Sequence, residues 1–156
     1  MALTLFFYLL AIVSWLGGMI FFALLTAPAV FSSLPITEAG KVMATLFPRY
    51  YLMGYIAGAV ACLLAIYFTA AHGPRLWWGF ASVALVIALG ITLYAGIIIR
   101  PQVNAIRTVN EEPNPDPVRK AEFDRLHHLS VSLNGVVIVL NLVALASTAA
   151  ALTPHA

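Results

Sequence analysis

Charge is what this chain has least of. Only 9% of its 156 residues are Asp, Glu, Lys or Arg, against about one-quarter in a soluble domain. Outside positions 100–125 there are four: Glu38, Lys41, Arg49 and Arg75. The residues are 62% apolar and the mean hydropathy is +0.96. A soluble core with a charged surface is excluded by that scarcity. The one cysteine, Cys62, lies in an apolar run; it excludes an intrachain disulfide and a thiolate metal site, and it is expected to pack as a small apolar residue. The net charge of +2 is too small and too localised for a nucleic-acid partner. No Lys or Arg precedes Lys41, so the N-terminal run lacks the basic start of a signal peptide and is too long for one. Despite Ala27-Pro28-Ala29, it reads as a retained first span. Segments of about ten residues with alternating polarity, the mark of a transmembrane barrel, are missing too.

What is present is apolar length. A bilayer-spanning helix needs about 20 mostly apolar residues, and four segments qualify, at 3–29, 49–70, 76–99 and 126–152. The expected architecture is all-α: a polytopic single domain over 1–156, built as a four-helix transmembrane bundle. Pro28 falls near the end of the first span, His72-Gly73-Pro74 follows the second, and Arg100-Pro101 follows the third. Between the first two spans, Ala39, Val42, Met43, Leu46 and Phe47 keep helical spacing, with Glu38, Lys41 and Thr45 opposite. That pattern predicts a short amphipathic helix in the interface, ended or kinked at Phe47-Pro48. Tyr50, Tyr51 and Tyr55 suit an aromatic belt at the membrane surface.

The 100–120 connection is a polar loop. Its stretch from Pro113 to Pro117 resists helix, and Asp116 before Pro117 predicts an N-cap and first turn. Lys120 with Asp124, and Glu122 with Arg125, are spaced to pair along the helix that follows. Seven basic residues (Lys41, Arg49, Arg100, Arg107, Arg119, Lys120 and Arg125) belong to the first and third connections, against Arg75 alone on the other side. The positive-inside rule then places the 1–2 and 3–4 connections in the cytoplasm and both termini outside. The expected location is the plasma (inner) membrane. No fixed-period repeat is visible.

Two features carry candidate chemistry. Gly54 and Gly58 in the second span have the small-residue spacing that lets helix backbones approach closely, and the adjacent Gly17 and Gly18 in the first can offer the same close approach. Packing within the bundle and a face for another subunit are both compatible with it. The last span carries a polar stripe, Phe123, His127, Ser130, Asn134 and Asn141, on one helical face. Asn134 and Asn141 lie within lipid depth and are expected to hydrogen-bond across helices. His127 can serve as a structural group or, neutral, as a ligand to a haem iron, a chlorophyll magnesium or a metal. His128 points about 100° away from it, so the two do not readily share one ion. Arg49, Arg100 and Arg107 are placed to contact anionic lipid. Asn104 and Arg107 are at the depth of His127, so Asn104, Arg107, His127, Ser130 and Asn134 form a candidate polar cluster. Neither a nucleophile–base–orienter set nor a Gly-rich phosphate loop is seen.

Four stretches resemble one known family. They are Trp15-Leu16-Gly17-Gly18 followed by 27–31; Ala39-Gly40 followed by Phe47-Pro48-Arg49-Tyr50; 101–107; and 123–130 with Asn134. In order and spacing they resemble the transmembrane-protein-205-like family of small membrane proteins, a domain of unknown function. The resemblance implies four membrane helices and no established reaction, and it brings the region of Leu126, His127, Ser130 and Asn134 to notice.

The resulting expectation is a non-enzymatic membrane protein that acts by packing. It would be a small accessory subunit of a larger assembly, possible settings including electron transport, or a small homo-oligomer, in contact with membrane lipids. The alternatives are a haem-, pigment- or metal-binding protein using His127, and a small exporter using His127, Asn134 and Arg107. No cofactor is required by the sequence.

Overall fold

The computed structural model describes residues 1–71, 75–112 and 114–153. Four long helices carry the fold: α1 (Ala2–Ser33), α2 (Ile36–Ala71), α3 (Leu76–Val109) and α4 (Pro117–Leu152). All four are long and apolar enough to cross a membrane, and no strand occurs among the described residues. This is an integral membrane protein with an all-α, four-helix architecture. In a bilayer the backbone must satisfy its own hydrogen bonds, which is why helices are the economical solution for such a sequence. The expected turn at His72-Gly73-Pro74, Pro113 of the proline-rich stretch and His155 lie outside the described residues.

Helices of 32 to 36 residues rise about 50 Å, well beyond the roughly 30 Å of hydrocarbon. They therefore project past the lipid, and most of the excess is at the end carrying the α1–α2 turn and the 100–125 segment. This is called the charged end below, and the opposite one the far end. Three helix boundaries differ from the sequence expectation, each at a proline. The third helix does not stop at Arg100-Pro101. It continues through Ile106 and tightens into a 3₁₀ turn over Arg107–Glu111. The first helix runs past Pro28 to Ser33. In both, a π-helical turn comes just before the proline, at Phe22–Thr26 before Pro28 and at Ala95–Ile99 before Pro101. Proline lacks an N–H and its ring crowds the carbonyl four residues back. The wider turn takes up that crowding, and Ala27 and Arg100 donate their backbone N–H to Phe22 and Ala95.

The amphipathic stretch before the second span is helical, but the expected break at Phe47-Pro48 is not there. It forms the opening turns of α2, which runs unbroken through Pro48. Its buried positions are Ala39 and Met43, and α2 also packs beside the Arg107–Glu111 turn, where Val109 is buried. Tertiary packing thus holds the segment in line with the span. Between α1 and α2 the chain turns at Leu34-Pro35. Leu34 is extended, as a residue preceding proline prefers.

In the bundle α2 packs on α1 and α3, and α3 on α4, with a slighter α1–α4 contact. At the far end Tyr8, Phe68 and Trp78 form an aromatic core, with ring centroids 5.9 Å (Tyr8–Phe68), 5.5 Å (Tyr8–Trp78) and 4.5 Å (Phe68–Trp78) apart. Midway, the Trp15 indole lies over Gly54 and Gly58. A Cβ added at Gly58 would sit 2.9 Å from Trp15 Cη2 and 3.0 Å from Leu89 Cδ1. The glycines of α2 thus accept a tryptophan from α1 rather than a bare backbone. Gly18 faces Met53, whereas Gly17 has nothing within 4 Å of the same position.

Candidate functional site

The polar face of α4 organises the interior. Asp116 caps the helix, its Oδ1 accepting the Val118 N–H at 3.0 Å. The face is half-buried at Ser130 and Asn134 and buried from Val137 onward. Asn134 Oδ1 accepts a hydrogen bond from the Tyr50 hydroxyl. The Tyr51 hydroxyl faces Ser130, with the charge of Arg100 nearby. Both tyrosines come from α2. Tyr50 and Tyr51 therefore turn into the bundle instead of lining the membrane surface as a belt. An interhelical bond of this type is worth about 0.6 kcal/mol on average. Beside this network is a pocket of ≈ 10 Å³, lined by Trp15, Tyr50, Tyr51, Thr92 and Asn134 among others. That is roughly the space a single water requires, so the pocket as it stands admits water and not an organic substrate.

Farther along the same face, Tyr8 reaches Thr148 at 2.8 Å. Thr148 Oγ1 also donates to the Ala144 carbonyl at 2.8 Å. A threonine has one hydroxyl proton, so Tyr8 is the donor of the pair. By the same count Ser82 donates to Thr69 at 2.9 Å, since Thr69 already donates to the Ala65 carbonyl. Asn141 departs from expectation. Its Nδ2 donates to the Val137 carbonyl of its own helix at 3.0 Å, and its Oδ1 is buried with no partner among the described residues. The predicted bond across helices is replaced by a local one, because the side chain is fully buried where only the preceding turn offers it an acceptor.

The other members of the expected cluster are placed differently. His127 is exposed. Its ring lies parallel to Phe123, 5.8 Å between centroids and 5° between planes, with His128 at 6.2 Å. Asn104 is exposed on α3, and Arg107 is half-buried at the start of the 3₁₀ turn. The structure thus joins Ser130 and Asn134 to α2 through tyrosines, and leaves His127 on an accessible surface of α4. No group of three or more His, Cys, Asp or Glu that could hold a metal occurs among the described residues. Around His127 the charges pair: Lys120 with Asp124 at 2.8 Å as expected, and Arg119 with Glu112 at 3.1 Å. Lys120 also sits 5.6 Å above the Phe123 ring. Glu122 and Arg125 do not form the second expected pair.

Tyr8, Trp15, Tyr50, Tyr51 and Thr148 were not singled out as site residues by the sequence. Thr148 had a signal, since it continues the 134–141 spacing by another seven residues. Tyr8 had a weaker one, as a hydroxyl in an otherwise apolar run.

Residues 10–112 match the family model described as a domain of unknown function, DUF4149. The chain belongs to this family. No curated protein and no solved structure matches it. The DUF4149 segment takes in α1 from its third turn, α2, α3 and the 3₁₀ turn. It therefore contains Trp15, the glycines beneath it, Tyr50, Tyr51 and both proline-linked π turns. The polar face of α4 lies beyond the segment, so the tyrosines of α2 are where the DUF4149 part and the last helix meet.

Proposed function

We propose that this protein is a non-enzymatic membrane subunit that works by packing against other membrane proteins or against copies of itself. The observation that carries the reading is the use made of the interior polar groups. Tyr8, Tyr50 and Ser82 are committed to Thr148, Asn134 and Thr69, and the pocket beside Tyr50 and Tyr51 has room for about one water. The bundle spends its polar chemistry on holding itself together. Its outward faces, by contrast, carry large apolar residues such as Phe6, Leu24, Leu63 and Val83, available to lipid or to a neighbouring helix. The likeness to the transmembrane-protein-205-like family, carried by the four stretches named above, fits such a role. The basic residues orient it with the charged end in the cytoplasm and both termini outside a plasma (inner) membrane. Extraction in mild detergent, followed by native gel electrophoresis and identification of co-purifying chains, tests the reading. A discrete complex larger than one chain is expected; a lone monomer under every mild condition would overturn it.

A second reading is favoured by the exposure of His127. A haem, pigment or metal held there would be approached from outside the bundle, with a neighbouring chain supplying further ligands. An absorption spectrum and metal analysis of the native complex, repeated with His127→Ala, separate the two readings. The exporter reading draws less support, because Asn134 is engaged by Tyr50 and not turned to an open path.

A further inference from the structure

The outer surface between α1 and α2 is not smooth. It holds an open groove of ≈ 490 Å³ whose walls are Phe7, Leu10, Leu52, Ile56 and Val60, with Arg49 as its single charged residue. From Arg49 to Val60 the helix rises about 16 Å, about half of the roughly 30 Å hydrocarbon thickness. From Arg49 to the last turn of α2 at Ala71 it rises about 33 Å. Arg49 therefore stands at the boundary between hydrocarbon and head groups at the charged end, and the groove descends from it through one leaflet.

Arg49 is also equipped for a ligand. Its Nη1 donates to the Thr45 carbonyl at 3.0 Å, which fixes the guanidinium at the head of the groove. A guanidinium has five N–H donors, and the others have no partner among the described residues. Arginine presents such donors in a planar fork that matches phosphate oxygens. A positive fork above an apolar channel one leaflet deep has the complementary chemistry of a single type of molecule.

We propose that the α1–α2 groove is a binding site for an anionic phospholipid of the leaflet at the charged end, with one acyl chain along Leu10, Leu52, Ile56 and Val60 and the head-group phosphate on Arg49. This goes beyond the subunit reading and does not depend on it: a monomer can hold such a lipid, and a complex can lack it. The groove is formed by the first two helices and is complete within one chain. The charge selects the head group, and the apolar walls select nothing beyond a chain.

Native mass spectrometry of the full-length protein tests this, using micelles doped with equal amounts of phosphatidylglycerol and phosphatidylcholine. The wild type is expected to retain phosphatidylglycerol about fivefold over phosphatidylcholine, the preference one basic residue confers near an anionic surface. Arg49→Gln should lose that preference while still retaining lipid, and Arg49→Lys should keep part of it. Ser14→Trp, which fills the groove from the α1 side with Arg49 untouched, should lose retained lipid of both kinds. Equal retention of the two lipids by the wild type would overturn the proposal, as would an unchanged preference in Arg49→Gln. A Ser14→Cys variant that crosslinks to a second polypeptide in native membranes, with no retained lipid on purification, would assign the groove to a helix instead and also overturn it.

Discussion

At the far end of the bundle, Tyr8, Phe68 and Trp78 are each at most 3% exposed, and their rings interlock edge to face and in a stack. At the charged end, the residues filling the same interior are Tyr51, which is buried, and Tyr50, Ser130 and Asn134, which are only partly buried, set beside a water-sized pocket. The first end is closed by apolar area and aromatic geometry. The second is stitched by hydroxyl and amide bonds, and both proline-linked π turns, Phe22–Thr26 and Ala95–Ile99, fall near it. The charged end has aromatic contacts of its own, among Phe22, Phe47, Tyr50 and Tyr51, so the ends differ in closure more than in the kinds of contact they make. The far end is sealed and the charged end is the more open of the two. π turns are over-represented where helices do work, and here they sit on the more open side.

The sharpest way to break this comparison is to open the sealed end. Trp78→Ala opens a cavity within the aromatic core and should lower the unfolding free energy by about 3–5 kcal/mol, the cost of deleting a large aromatic side chain. Denaturant titration of the purified protein in a fixed detergent, followed by circular dichroism, measures it. Tyr51→Ala at the charged end should cost less, because a water-sized pocket already adjoins that side chain. If the two costs were equal, the distinction between the ends would collapse.

The joint between the ends offers a smaller test. Gly58→Ile places a Cβ 2.9 Å from the Trp15 ring and 3.0 Å from Leu89. Overpacking of that kind costs about 1–3 kcal/mol. Gly17→Ile meets nothing within 4 Å and should leave the same titration almost unmoved, even though both glycines look alike in sequence. A loss at Gly17 matching that at Gly58 would mean that Gly17, too, is covered, and by another protein.

That pair also indicates what the sequence could and could not convey. Apolar length was sufficient for four spans, and the capping chemistry of Asp116 and the spacing of Lys120 and Asp124 were local enough to read directly. The prolines were not. Pro28, Pro48 and Pro101 look like helix ends, yet each lies inside a helix: a π turn takes up the ring crowding before Pro28 and Pro101, and α2 runs unbroken through Pro48. Depth is legible from an aromatic belt, but azimuth is not, so Tyr50 and Tyr51 were expected at the surface when they face Asn134 and Ser130. The α4 stripe was sound in its spacing. What spacing cannot tell is where along the helix a neighbour begins to cover the face, and that point separates exposed His127 from Asn134.

Asn141 provides the finest comparison, against Asn134 on the same face of the same helix. Asn134 accepts from Tyr50, so Asn134→Leu removes an acceptor and strands a hydroxyl; a loss of about 0.6–1.7 kcal/mol is expected, the range for interhelical bonds in membranes. Among the described residues Asn141 makes no bond to another helix. Asn141→Leu keeps the branching of the side chain and removes a buried oxygen that has no partner, while the Val137 carbonyl retains the helical backbone bond that Asn141 N–H supplies. An unsatisfied buried polar atom costs about 1–3 kcal/mol, and the lost Nδ2 bond offsets part of that. Asn141→Leu should therefore be neutral or raise stability by up to about 1 kcal/mol, in the same detergent titration. Opposite signs at positions two turns apart would establish that the stripe is two things: a joint at Asn134 and an uncompensated polar group at Asn141. A loss at Asn141 as large as that at Asn134 would mean that Oδ1 has a partner in the native membrane, and the far end of the bundle would then be wetter than its aromatic core implies.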